Sequence, residues 1–371
     1  MTSPAQQRLL QAARSSSPML ADRLVAWQRQ QGRHHLPWQN TRDPYRVWLS
    51  EIMLQQTQVS TVLGYYARFL AAFPDVKALA AASLDDVLTL WAGLGYYSRA
   101  RNLHRCAQAV VHDHGGSFPH TTQALMTLPG IGRSTAAAIA GFCFHERTAI
   151  LDGNVKRVLT RVLGWGEDLS VSANERALWL AAETVLPEQA EDMPAYTQGV
   201  MDLGATLCTQ RKPACLTCPW SDICAARREG RPEAFPVKTR KLKRSSRESW
   251  WLWLEHDEQV WLVQRPASGV WGGLWTLPLF DSEALLDQAV TKLGAQAPEI
   301  QPAIKHVLTH MDWHLHPRRS LLQTRPPAAD LRHVEGEAVG ADTAGIGRWV
   351  PVSELGSVGL PAPLRKLLPA G

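Results

Sequence analysis

The sequence predicts a mainly α chain in which a long all-helical region is followed by a smaller α+β domain. Three observations carry this. Between Pro44 and about Leu207, apolar residues recur at helical spacing. From Ala226 to Arg247 the composition shifts, with nine Lys or Arg against two acids and prolines at 232 and 236. After Arg247, strand-like runs rich in Trp and Val take over.

Taken in order, the helical region opens with "VWLSEIMLQQTQVSTVL", which sets Trp48, Ile52, Val59 and Val62 on one face. "NVKRVLTRVL" repeats the pattern with Val155, Val158, Leu159 and Val162. The short breaks "FPDV", "HGGSFP", "LPGIG" and "LDG" separate such runs, as expected of many short helices. The basic stretch 226–247 reads as an exposed linker. Beyond it, "SWWLWLEHDEQVWLVQR" reads as two strands around a turn at "HDEQ", and "SGVWGGLWTLP" adds glycine-rich turns between aromatics.

Composition sets bounds on function. The chain of 371 residues suits two or three domains, and a net charge of +5 is compatible with nucleic acid without requiring it. No run of 18 apolar residues appears, so no membrane span is expected. "MTSPAQQRLLQAARSSSPML" does not read as a secretory signal. A cytoplasmic, monomeric protein is the expectation, in a reducing compartment where clustered cysteines bind metal more often than they pair.

Four of the six cysteines, Cys208, Cys215, Cys218 and Cys224, form C-x6-C-x2-C-x5-C. Zinc usually takes two short C-x2-C knuckles, and only one occurs here. A 4Fe–4S cluster takes four thiolates from one compact segment, often with a proline beside a ligand, and Pro219 follows Cys218. The spacing favours the cluster over zinc. Arg211 and Lys212 lie in the same loop, either as solvated charges or as contacts for a phosphate backbone. Cys106 and Cys143 read as buried thiols.

"LMTLPGIGRSTAAAIAG" makes a tight turn followed by a small-residue helix from about Ser134 to Ala140. Gly130 and Gly132 let a phosphate approach main-chain N–H groups at the helix start. Glu51 sits in an apolar helix among Trp48, Leu49, Ile52, Met53 and Leu54. It is either an exposed residue of an amphipathic face or a buried carboxyl with a raised pKa, suited to general acid work. Asp152, in "AILDGNVKRV", precedes a helix; Asn154 reads as the better cap, which frees Asp152 to face a cation.

In this order, "LPGIG", "LDGNVKRV" and the cysteine loop resemble the helix-hairpin-helix DNA glycosylases. "LPWQ", "PYRVWLSEIMLQQTQV", "LWAGLGYYSRARNLH", "GRSTAAAI", "MDLGATLC", "SGVWGGLW" and "SVGLPAPL" are similar, more closely, to the MutY family of adenine DNA glycosylases, over roughly residues 20–365. The resemblance implies a helical catalytic region over 1–225. Within it stand a hairpin domain at about 45–150 and a cluster-bearing domain built from the N-terminal segment and about 151–225. The linker 226–247 and a Nudix-like lesion-reading domain over 248–371 complete the chain.

By resemblance, the partner is double-stranded DNA with adenine opposite 8-oxoguanine or guanine, and the cofactor one 4Fe–4S cluster on the four cysteines. Glu51, Asp152 and Asn154 take the catalytic roles. Gln198 lines the adenine pocket, and Gln56 and Tyr96 intervene in the helix beside the lesion. Lyase relatives such as endonuclease III carry a lysine nucleophile where this chain has Ser134, which implies a monofunctional enzyme over the bifunctional alternative. The lesion-sensing loop of the family often reads Phe-Ser-His; the matching stretch here is Leu308, Thr309 and His310. No R-E-x-x-E-E cluster follows Arg247, which speaks against pyrophosphatase activity.

Overall fold

A computed structural model describes residues 3–239, 243–327, 331 and 347–368. The chain divides into two compact units. The first comprises Met1–Tyr66, Phe73–Ala80 and Arg105–Lys241; the second comprises Ala67–Ala72, Ala81–His104 and Leu242–Gly371.

The first unit is helical. Helix α1 (Pro4–Gln31) starts at a capping box: Gln6 N donates to Ser3 Oγ at 3.3 Å and Ser3 N to Gln6 Oε1 at 2.9 Å. Its buried Leu9, Ala13, Leu20 and Leu24 pack on α10 (Ser172–Thr184) and α11 (Met193–Thr206). Helix α2 (Pro44–Leu54), capped by Asp43, buries Trp48, Leu49, Ile52 and Met53 and packs on α8 (Arg133–Phe144). Helix α9 (Gly153–Val162) packs on α11. The two approach so closely that a Cβ at Gly204 would stand 2.9 Å from Asn154 Cβ.

The apolar pattern of 47–63 predicts continuous helix, but the structure breaks it. Helix α2 ends at Leu54, and α3 (Val59–Ala72) starts after a polar turn in which Gln56 takes φ +57°. The four polar residues Gln55–Gln58 supply no apolar stripe to hold a helix against the core. The basic stretch is anchored as far as Thr239: Phe235 is buried, Leu169 N donates to Val237 O at 3.1 Å, and Thr239 Oγ1 bonds Asp168.

Among the described residues, the second unit holds a mixed sheet of eight strands. Strand β1 (Ser245–His256) pairs in parallel with β7 (Met311–Leu321), from Ser245 opposite Met311 to Glu255 opposite Leu321. Strands β2 (Gln259–Gln264) and β4 (Leu279–Phe280) pair antiparallel with β1, and β6 (Ile304–Val307) pairs antiparallel with β7. Leu252, Leu254, Trp261, Val263 and Phe280 form a core that Leu286 and Val290 of α13 (Glu283–Lys292) complete. The segment 81–104 belongs to this unit, where Trp275 Nε1 donates to Asp85 Oδ2 at 3.1 Å. Among the described residues no helix is long and apolar enough to cross a membrane.

Candidate active site

A cavity of about 1180 Å³ opens in the first unit. Glu51, Gln56, Ser134, Asp152, Asn154 and Gln198 all line it, so the fold gathers six of the residues singled out from sequence. Arg33, Trp38 and Arg157 line it as well. This volume admits a nucleoside-sized ligand.

Glu51 reaches the cavity from a helix on which Trp48, Leu49, Ile52 and Met53 are all buried. Burial raises the Glu51 carboxyl from 4.5 to about 8, and the charge of Asp152 raises it further within that shift. A carboxyl so placed carries a proton at neutral pH and has one to donate. The end of α2 is tied to α8, where Gln55 Nε2 donates to Thr135 Oγ1 at 3.3 Å.

Asp152 itself caps α9, its Oδ1 accepting from Val155 N at 2.8 Å. This corrects the assignment of the cap to Asn154. A carboxylate at a helix N-terminus suits the positive end of the helix dipole, and Asp152 remains exposed to the cavity. Asn154 is instead held by Arg157. The Arg157 Nη2 donates to Asn154 Oδ1 at 2.9 Å and to Gly204 O at 2.7 Å, and its Nε donates to Cys208 O at 2.8 Å.

Ser134 stands in the first turn of α8 and accepts from Leu151 N at 3.1 Å, fixing the backbone next to Asp152. In the turn before it, Gly130 takes φ +77°, a conformation that L side chains rarely adopt. Gly132 caps α8 without a side chain, and a Cβ there would meet nothing within 4 Å. The start of α8 is therefore open to a close approach at Gly132.

Gln198 and Asp202 lie one turn apart on α11. Gln198 Nε2 donates to Asp202 Oδ1 at 2.7 Å, and Arg33 donates to the same carboxylate through Nε at 2.7 Å and through its backbone N at 2.9 Å. Sequence reasoning missed Asp202, Arg33 and Arg157. An acid four residues after Gln198 on an apolar helix was the one local signal for Asp202; Arg33 and Arg157 left none.

In the second unit, Tyr96 is 43% exposed with φ +50°, and Arg99 lies over its ring at 5.4 Å. Tyr96 Oη and Thr309 Oγ1 are 2.8 Å apart. Leu308, Thr309 and His310 form the turn between β6 and β7, closed by Leu308 N donating to Met311 O at 2.9 Å. Arg244 braces it, donating to Thr309 O at 3.0 Å and pairing with Asp312.

The cysteine loop departs from expectation. Among the described residues no group of three or more His, Cys, Asp or Glu side chains is placed to hold a metal ion. The 4Fe–4S cluster expected on Cys208, Cys215, Cys218 and Cys224 is therefore not supported. The loop wraps instead around Arg161, which is 2% exposed. Arg161 donates to the carbonyls of Cys208, Thr209 and Gln210 at 3.3, 2.7 and 3.0 Å and to Cys208 Sγ at 3.4 Å. The Cys224 thiol turns to Arg161 O at 3.5 Å. Burial raises Cys215 and Cys224 and pushes Cys218 up to about 12. Arg211 and Lys212 are exposed at the tip, with Lys212 N bonded to Glu233 Oε1 at 2.8 Å. Burial also holds Cys106 and Cys143 at about 12.

Comparison with known proteins bears on this geometry. The family model "HhH-GPD superfamily base excision DNA repair protein" matches residues 49–184, and the NUDIX domain model matches residues 249–370. The adenine DNA glycosylase of Buchnera aphidicola subsp. Acyrthosiphon pisum is 35% identical over 347 residues, covering 93% of this chain and 95% of its own. The adenine DNA glycosylase of Homo sapiens is 38% identical over 310 residues, covering 69% of this chain and 56% of its own. A solved thermostable thymine-DNA glycosylase aligns with 58% of this chain and 98% of its own, at 28% identity and a TM-score of 0.50.

Proposed function

This chain belongs to the adenine DNA glycosylase family, and from that premise we propose that it is a monofunctional enzyme removing adenine mispaired with 8-oxoguanine or guanine in double-stranded DNA. The observation that carries the reading is Glu51, a cavity carboxyl raised to about 8 and opposed by the charge of Asp152.

A base inside the helix stack is out of reach, so the adenine is flipped into the cavity. Glu51, protonated, donates to N7, which turns adenine into a leaving group. The bond from the sugar to N9 breaks and leaves an oxocarbenium-like sugar. The Asp152 carboxylate faces that cation, while Asn154, steadied by Arg157, positions the sugar. Glu51, now a carboxylate, takes a proton from the water that attacks C1′. One acid held neutral and one held charged is the division of labour that glycosidases use.

Ser134 supports the monofunctional assignment, since a hydroxyl that accepts from Leu151 N forms no Schiff base with the abasic sugar. Lys156 Nζ is paired with Glu175 Oε1 at 2.5 Å. Gln56 and Tyr96 are the wedges beside the lesion, the Leu308–His310 turn reads the oxidised base, and the hairpin with Arg211 and Lys212 meets the phosphate backbone.

Single-turnover base release tests this. A duplex with one adenine opposite 8-oxoguanine should lose adenine and break only after alkali, and an A·T duplex should stay intact. Strand breakage without alkali would overturn the monofunctional assignment. No release from either duplex would overturn the enzyme reading.

A further inference from the structure

Asp85 stands in the first turn of helix α5 (Leu84–Trp91), a few residues before Tyr96, yet its carboxylate is turned to the sheet. Its Oδ2 accepts from Trp275 Nε1 at 3.1 Å and its Oδ1 from Gln264 Nε2 at 3.3 Å, which joins α5 to β3 (Trp275–Thr276) and β2. Local capping falls to its neighbour: Ser83 Oγ accepts from Asp86 N at 3.1 Å and donates to Asp86 Oδ2 at 2.6 Å. The start of α5 therefore has a cap without Asp85. Two more ties bind the same segment. Arg101 Nη1 donates to Gly272 O at 2.5 Å, and Thr89 Oγ1 donates to Ser357 O at 3.4 Å. The packing is close as well: a Cβ at Gly359 would stand 3.4 Å from Thr89 N, and one at Gly273 would stand 3.2 Å from Leu88 Cδ1. Between these ties runs the loop that carries Tyr96, and it is cross-braced. Trp91 Nε1 donates to Gly95 O at 3.1 Å, Gly93 N to Tyr97 Oη at 3.2 Å, and Arg99 Nη2 to Gly95 O at 3.2 Å. A loop held this way moves with α5 as one piece.

We propose that Asp85 is a positioning residue for Tyr96: it anchors α5 to β2 and β3, and through α5 it sets the place of Tyr96 against Thr309. This rests on the reading that Tyr96 wedges beside the lesion and that the turn between β6 and β7 reads the oxidised base. The wedge then takes its position from the sheet that carries the reading turn, although 213 residues separate Tyr96 from Thr309. Helix α5 has 8 residues and is a lever about 12 Å long. Asp85 holds one end, and the loop hangs on the other. Without the anchor the helix is free to tilt and to carry the Tyr96 hydroxyl away from Thr309. A shift of about 1 Å is enough, because hydroxyl pairs bond within about 2.5–3.0 Å and this pair starts at 2.8 Å. An acid that only held the fold would weaken the protein alike for every duplex. An anchor of the wedge acts on the preference for the oxidised base.

The test is a double-mutant cycle between Asp85→Ala and Thr309→Val. Affinity is measured by titration with two duplexes that carry a non-hydrolysable adenine analogue, one opposite 8-oxoguanine and one opposite guanine. Asp85→Ala should lower the preference for 8-oxoguanine over guanine by about fivefold, the size of the Tyr96–Thr309 bond. In that background Thr309→Val should cost less than about twofold, because the bond it removes is already broken. A loss from Asp85→Ala by the same factor on both duplexes would show a merely structural role and overturn the proposal. A Thr309→Val loss of equal size with and without Asp85 would make anchor and wedge independent, and would overturn it too. Should Asp85→Ala fail to fold, Trp275→Phe, which keeps an aromatic ring and removes the Nε1 donor, takes its place in the cycle with the same expectations. A wild type without preference for 8-oxoguanine would overturn the lesion-reading assignment and this inference with it, whereas a discriminating wild type with independent variants overturns the inference only.

Discussion

The hydroxyl of Tyr96 lies 2.8 Å from that of Thr309, so an exposed aromatic in a left-handed backbone conformation is bonded to the turn between β6 and β7. Tyr96 φ is +50°, and side chains other than glycine hold that conformation at a cost of about 1 kcal/mol or more. Arg99 across its ring and Thr309 at its hydroxyl are the contacts that offset the cost.

Thr309→Val removes this bond and keeps the shape of the side chain. A single neutral hydrogen bond is worth ~1 kcal/mol, about a fivefold effect. The expected outcome is a drop of that size in binding to a duplex with adenine opposite 8-oxoguanine, with the rate of base release from bound DNA unchanged. Titration with a non-hydrolysable adenine analogue, alongside single-turnover rates, checks both halves.

The pH profile follows from Glu51. General acid work needs the protonated carboxyl, which is held up to about 8 by burial and then by Asp152. The single-turnover rate should stay level through neutral pH and fall as pH rises through about 8, approaching tenfold per further unit. Removing the opposing charge with Asp152→Asn should move this limb to lower pH. A rate that instead rises through pH 8 would remove Glu51 from the role of acid.

Part of this site was legible in the sequence, and part was not. For the acid inside "VWLSEIML" the sequence offers two readings, an exposed position on an amphipathic face or a buried carboxyl, and the structure turns Glu51 into the cavity with its carboxyl raised by burial. The cap at α9 went to Asn154 on local grounds, since either residue suits the position. The structure gives it to Asp152 because Arg157 already holds the Asn154 side chain, and the other partners of Arg157 lie at Gly204 and Cys208. The cysteine spacing pointed to a cluster, yet the loop is organised by Arg161, far away in sequence. Spacing records which residues share a loop; it does not record which distant side chain fills the loop's centre.

Glu51 also costs stability, and the sign can be worked out. The folded carboxyl titrates at about 8 against an ordinary 4.5, so the folded state keeps a proton that the unfolded chain gives up between those values. Wild-type stability should fall as pH rises from 4.5 to 8 and then level. Glu51→Gln carries no such proton, so its advantage should be absent near pH 4, grow across the window and plateau above 8. With discount for a group on an open cavity, the plateau is roughly 2 kcal/mol. Denaturant unfolding of both proteins at pH 5, 7 and 9 measures it, and a constant difference would place the Glu51 proton elsewhere.

Arg157 should separate chemistry from binding. Its guanidinium spans Asn154 Oδ1, Gly204 O and Cys208 O, so it ties the start of α9 to the end of α11 and to the cysteine loop. Arg157→Met keeps much of the apolar stem and drops all three bonds. Asn154 then loses the contact that orients it, and a displacement of about 1 Å in a positioning group can cost on the order of 100-fold in rate. The expected outcome is a slower single-turnover rate by about tenfold to 100-fold with DNA affinity within threefold of wild type. Arg157→Lys, a point charge unable to span three acceptors, should recover only part of the rate. Equal losses in rate and affinity would mean that Arg157 holds the fold of this region and does not act through Asn154.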